Sequence, residues 1–197
     1  MTRNAEDFWV FGYGSLMWRP DFPFEHAGCA LVRGYHRALC ALSPRARGTR
    51  EKPGLVVGLD RGGACLGRAF RVAPHRVEEV TAYLHRRELK SGLYRPKHVD
   101  FTLRDGSRGR AYTFVIQRES PLYTGKIPLE RQIELILQGH GDFGSSLEYL
   151  ENTVAHLEEM EIPCETLRAV LEQAQHVFRG REASGDERPL RRQPHLE

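Results

Sequence analysis

The chain has 197 residues, 40% of them hydrophobic, enough to build one compact core. A formal charge of +3 and a pI near 8.7 look basic, but arginines crowd the C-terminal end between Arg179 and Arg192 and leave the remainder close to neutral. No stripe of Lys and Arg interleaved with stacking aromatics points to nucleic acid, no apolar run reaches the ~20 residues of a membrane span, and Met1–Asp7 lacks the apolar segment of a signal peptide.

Apolar runs separated by Gly, Pro and Arg-rich turns predict strands at Phe8–Tyr13, Cys29–Val32, His36–Leu42, Leu55–Leu59 and Cys65–Val72. From Pro74 to about Lys90 the period changes: Val77, Val80 and Leu84 share one face of a helix that opens with proline in its first turn. Val99, Phe101 and Leu103 then alternate, as do Tyr112, Phe114 and Ile116, and Asp105-Gly106 between them signals a hairpin. After Pro128, Leu129, Ile133, Ile136 and Leu137 predict a helix stopped by Gly139. Ser145 and Glu148 form a capping box for the next helix, which carries Leu147, Leu150, Val154 and Leu157. A last helix spans Pro163 to Phe178 with Leu167, Val170, Leu171 and Ala174 inward. The class is α+β, sheet first and helices late: one domain over residues 1–180, with 181–197 as a mobile tail rich in Arg and Pro.

The four cysteines, Cys29, Cys40, Cys65 and Cys164, show no short paired spacing, and three lie in apolar runs. They read as reduced core residues, hence a cytosolic address. The nine histidines offer no His-x-x-x-His or similar ligand spacing, so no metal site is expected.

Gly12 and Gly14 bracket Tyr13 where the first strand ends. Glycine there allows positive φ and lets a ligand approach main-chain N–H groups, which suits a carboxylate or an oxyanion. For the isolated Gly-x-Gly, a tight turn that leads Leu16 and Trp18 into the core is the more common reading. The run is neither a dinucleotide fingerprint nor a Walker loop, and Ser15 lacks the Gly-x-Ser-x-Gly elbow of a nucleophile, which leaves it a hydrogen-bonding role.

At 100° per residue, Glu88 falls within about 80° of Val77, Val80 and Leu84, on the buried stripe. Desolvation and the helix C-terminus both disfavour an anion there, so its pKa is expected to rise, as suits a general base. A buried Glu paired with Arg87 or Arg95 fits the same position.

The segment Phe11-Gly12-Tyr13-Gly14-Ser15-Leu16-Met17-Trp18-Arg19-Pro20-Asp21-Phe22-Pro23 resembles the opening of the ChaC-type γ-glutamylcyclotransferases. The likeness continues in order through Gly34-Tyr35 with Arg37, Arg47-Gly48-Thr49, Pro53 to Val56, Gly67 to Val72, Tyr83-Leu84, Arg87-Glu88 and Gly144 to Leu150. It implies a γ-glutamylcyclotransferase-like mixed β-barrel flanked by helices, working without metal or organic cofactor on γ-glutamyl compounds, chiefly glutathione. The implied reaction is an internal acyl transfer that gives 5-oxoproline and cysteinylglycine. In this reading Glu88 is the catalytic acid/base; Phe11, Gly12, Tyr13, Gly14, Ser15 and Leu16 bind substrate; and Tyr94 and Tyr112 are candidates to line the pocket. The partner is a small molecule, with no nucleic acid or membrane, and the state a monomer or small homo-oligomer. Two departures stand out: Ser91-Gly92-Leu93-Tyr94 where the family often has Gly-Gly-Tyr, and Arg45-Ala46-Arg47-Gly48 where it often has Asp-His-Arg-Gly. The second leaves open other γ-glutamyl amino acids or γ-glutamylamines as substrates; a non-catalytic sensor of such metabolites is the alternative from another class, since a sequence does not prove turnover.

Overall fold

The computed structural model describes residues 7–183. Its centre is a closed barrel of β1 (Phe8–Gly12), β2 (His26–Ser43), β3 (Gly54–Val72), β4 (Tyr94–Leu103) and β5 (Arg108–Ile116), ordered β1-β3-β2-β4-β5. The pairings are antiparallel except the seam, where β1 meets β5 in parallel with Trp9 opposite Ala111.

Four of the strands expected from sequence are two long ones. β2 passes through Gly34 at φ +83, with a register shift between Arg33 and Tyr35, and β3 passes through Gly62 and Gly63 at φ +100 and +68. These glycines look like turns in sequence because they supply left-handed backbone, but here they bend one continuous ribbon.

Alternation along the strands gives the barrel two apolar faces. Phe11, Val32, Leu55 and Phe101 belong to the main core, which continues into the three later helices. Those are α2 (Leu129–Gln138), α3 (Ser146–Glu159) and α4 (Glu165–Ala183), which contribute Ile136, Leu150 and Val170 among others; α1, between β3 and β4, spans Val77–Glu88. Val10, Phe70, Tyr112 and Phe114 form a separate cluster with Val80 and Leu84 of α1. Burying Leu84 completely there contributes roughly 1.5–3 kcal/mol. The helix foreseen from Pro74 to Lys90 is α1 with a 3₁₀ turn at each end, Pro74–Arg76 and Leu89–Ser91.

Ser145 caps α3, its Oγ accepting from the Glu148 N–H at 3.0 Å, but the reciprocal half of the expected capping box is not made: the Glu148 carboxylate lies 3.6 Å from Arg47 instead. Ser146 then stitches the helix to β3, accepting from Leu55 N at 3.0 Å and donating to Leu55 O at 2.6 Å. A short ribbon of β6 (His140–Gly141) and β7 (Gly144–Ser145), absent from the sequence reading, precedes it. The last helix runs past Phe178 to Ala183, so the start of the expected tail is helical; the expectation for its remainder falls outside the described residues. Among the described residues, no helix is long and apolar enough to cross a membrane.

Candidate active site

At the end of β1 the chain turns into a 3₁₀ helix, Ser15–Met17, closed by Met17 N–H to Gly14 O at 2.9 Å and Arg19 N–H to Ser15 O at 2.8 Å. Two further carbonyls of the loop are tied back as well. Thr113 Oγ1 donates to Phe11 O at 2.8 Å, and Arg37 Nε donates to Tyr13 O at 2.6 Å. The N–H groups of Ser15 and Leu16 open the short helix, where no preceding helical carbonyl is in reach. A loop whose carbonyls are fixed and whose leading N–H groups are spare is suited to an anion.

The glycines serve this loop differently from the sequence expectation. Neither Gly12 nor Gly14 has a positive φ, and Gly14 sits at φ −130. Close approach is what demands them: a Cβ on Gly12 would lie 2.9 Å from Leu16 Cβ, and one on Gly14 would lie 2.9 Å from Tyr149 Oη.

Tyr13, Gly14, Ser15 and Leu16 line one side of a cleft of about 340 Å³, including the part continuous with solvent. Glu88 and Tyr94 face them, with Val57, Phe114 and Tyr149 completing the lining. Glu88 is the last residue of α1, and its side chain is only 18% exposed. Burial pushes its carboxyl above the ordinary value of 4.5, against the pull of Arg87, whose Nε donates to Glu88 Oε1 at 3.1 Å. Glu88 therefore has both an arginine partner and a raised pKa.

Arg87 also reaches the loop. Its Nη2 donates to Ser15 Oγ at 2.9 Å, and its Nη1 donates to Arg19 O at 2.7 Å and to Tyr83 Oη at 2.8 Å. One planar guanidinium thus fixes the carboxylate and the loop to each other. Around them, burial drives the phenols of Tyr13 and Tyr94 well above 10.0 and that of Tyr149 up to about 12. These three are neutral hydrogen-bond donors near pH 7, and Glu88 is the carboxyl among the residues that line the cleft.

The profile of the ChaC-like protein family matches residues 8–178. The chain belongs to the ChaC-like family. The ChaC-like chain is 38% identical over 151 residues to the human glutathione-specific γ-glutamylcyclotransferase 1, covering 75% of this chain and 68% of that protein. It is 33% identical over 142 residues to the Escherichia coli glutathione-specific γ-glutamylcyclotransferase, covering 72% of this chain and 62% of that one, so it spans less than two thirds of this relative's length. A crystal structure of a yeast γ-glutamyl cyclotransferase specific to glutathione superposes with a TM-score of 0.79 at 22% identity, over 87% of this chain and 97% of that one. The mixed barrel flanked by helices expected from the sequence is the fold observed.

Three residues assigned to the site lie elsewhere in the ChaC-like chain. Phe11 points into the barrel core, and Gly12 is packed beneath Leu16. Tyr112 shares its strand face with Phe114, which does reach the cleft, but lies two residues along β5, about 7 Å away. There it packs on Phe8 and His98, and its hydroxyl pairs with His85 Nε2 at 2.6 Å. Conversely, Tyr149, Val57 and Phe114 had no place in the sequence reading of the site. Tyr149 carried one usable signal: a phenol on the buried stripe with Leu150, Thr153 and Val154, whose hydroxyl needs a polar neighbour.

Proposed function

We propose that the protein is a γ-glutamylcyclotransferase, a lyase that cleaves glutathione to 5-oxoproline and cysteinylglycine. The observation that carries this is the buried, half-satisfied carboxyl of Glu88 set opposite a loop with spare N–H groups, in a chain of the ChaC-like family. The γ-glutamyl head enters the cleft with its α-carboxylate and γ-carbonyl oxygen on the loop and its α-amine at Glu88. Glu88 takes a proton from the amine, and the amine nitrogen bonds to its own γ-carbon. The oxyanion that forms is held by the N–H groups of the loop, each such donor being worth about 3 kcal/mol. The bond from the γ-carbon to the cysteine nitrogen then breaks, and that nitrogen leaves with the proton from Glu88. No water is consumed, so a small enclosed cleft is an advantage: holding the head bent makes ring closure unimolecular.

The names of the relatives and the shared fold support glutathione as substrate. Free cysteines, three of them buried, fit work in a reducing cytosol. The decisive experiment is incubation with glutathione and quantification of 5-oxoproline and cysteinylglycine. Equal yields of the two are expected from wild type, and binding without product would instead mark a sensor.

A further inference from the structure

Arg37 of β2 is half-buried against the cleft loop, and the reaction above gives it no part. Its guanidinium forks between two main-chain carbonyls: Nε donates to Tyr13 O and Nη2 to Leu66 O, both at 2.6 Å, and Nη2 also lies 3.7 Å from Met17 Sδ. Bonds this short from a cation are charge-assisted, and together they hold the plane of the Tyr13–Gly14 peptide.

A trans peptide carries its C=O and N–H on opposite edges of one plane, so fixing the Tyr13 carbonyl on Arg37 turns the Gly14 N–H away from it. That N–H is spare. β1 stops pairing with β3 at Gly12, opposite Arg68; two residues on, Gly14 would face Leu66, whose carbonyl Arg37 has taken. Among the described residues, no group accepts from the Gly14 N–H. Gly14 lines the cleft, and the side-chain atoms nearest to it, Tyr149 Oη and Val57 Cγ2, belong to the same lining. A carbonyl polarised by a cation also makes the amide of its own peptide a stronger donor. Arg68 supplies the contrast. Its Nη1 donates to Met17 O at 3.1 Å, at the far end of the same loop, but the amide of that peptide, Trp18 N–H, is already donated to Ser15 O at 3.3 Å. Both arginines grip the loop, and of the two peptides they grip only Tyr13–Gly14 has an N–H left for a ligand.

We propose that Arg37 is a positioning residue for the reaction: it aims and strengthens the Gly14 N–H as a donor to the oxyanion that forms on the γ-carbonyl. This rests on the γ-glutamyl reading above and deepens it, by naming the amide that meets the developing charge and the side chain that sets it. The oxyanion exists only once the α-amine has bonded to the γ-carbon, so the effect of Arg37 falls on kcat and leaves KM nearly alone.

The test is steady-state kinetics of wild type, R37Q, R37K and R68Q on glutathione, read as 5-oxoproline release. R37Q is expected to lose about 10- to 100-fold in kcat with KM within about threefold, less than the loss of a whole oxyanion donor because the amide itself remains. R37K reaches one of the two carbonyls, so its kcat should fall between those of R37Q and wild type, while R68Q keeps kcat within about twofold. A wild-type kcat in R37Q overturns the proposal, as does a loss confined to KM. An equal loss of kcat in R68Q overturns it too, because a merely loosened loop would respond to both arginines. Should R37Q fail to fold, R37K decides, and a kcat equal to that of wild type overturns the proposal. Wild type separates this proposal from the reading beneath it: no 5-oxoproline sinks both, whereas turnover that ignores Arg37 sinks the proposal alone.

Discussion

Two carboxylates in this protein are largely buried beside an arginine and a tyrosine, and they behave in opposite ways. Asp60, in β3, is 8% exposed and accepts from Arg118 Nε at 2.8 Å, Tyr123 Oη at 2.8 Å and the Arg61 N–H at 2.8 Å. Burial pushes its pKa up, but those bonds outweigh it and leave the carboxyl below 3.8. Glu88 receives a hydrogen bond from Arg87 alone, and burial wins. Three hydrogen bonds make Asp60 a rivet, here pinning the segment after β5 to the barrel; Glu88, with one, holds its proton to a higher pH than an ordinary carboxyl.

The largest break in that comparison is E88Q. Gln keeps the shape and removes the base, so kcat is expected to fall by about 10²- to 10⁴-fold, measured as 5-oxoproline release. D60N is the control, leaving kinetics near wild type and lowering stability by about 1–3 kcal/mol in denaturant unfolding.

Next in size is G14A. Its Cβ would be 2.9 Å from Tyr149 Oη and 3.1 Å from Val57 Cγ2, so the cleft must open or the phenol must leave. A loss of at least about tenfold in kcat/KM is expected with little change in Tm, and unchanged kinetics would show that the loop is not a binding wall.

The two acids also predict opposite pH responses. Because the Glu88 pKa is raised in the folded state, its contribution to stability is complete below 4.5 and is lost as pH rises through the folded value. E88Q should therefore melt higher than wild type at pH 7, with the advantage gone below 4.5. The depressed Asp60 contributes above 3.8 and loses that contribution as pH falls, so D60N should hurt least in acid. The activity of wild type should decline on the acid side at a pH above 4.5 as Glu88 gains its proton.

Smallest is Y112F. With the phenol outside the cleft, kcat/KM should stay within about twofold, while loss of the bond to His85 costs roughly 0.5–1.5 kcal/mol of stability. A tenfold loss of activity would return Tyr112 to the site.

What was legible in the sequence is what a single element decides. The stripe of Val80, Leu84 and Glu88 on α1 and the Ser145 cap are local, and both stand as read. The long strands were not legible, because glycine marks a turn and a bulge alike. Nor was Arg37, whose bond to Tyr13 O joins residues 24 apart, or Tyr149, which meets Gly14 only once α3 packs on the barrel. Arg87 was visible as a neighbour of Glu88, but not as the clamp on Ser15, 72 residues away.

The parallel seam between β1 and β5 has a consequence in time. Thr113 holds the Phe11 carbonyl from 102 residues downstream, and Tyr149 arrives later still. Contacts so distant in sequence close late, because the loop entropy must be met first. On the ribosome, the Gly-Tyr-Gly-Ser segment emerges early and is followed by Val57, Glu88, Tyr94 and Phe114, but the Tyr149 wall comes only with α3. The lining of the cleft is therefore complete only once α3 has been made and packed on the barrel.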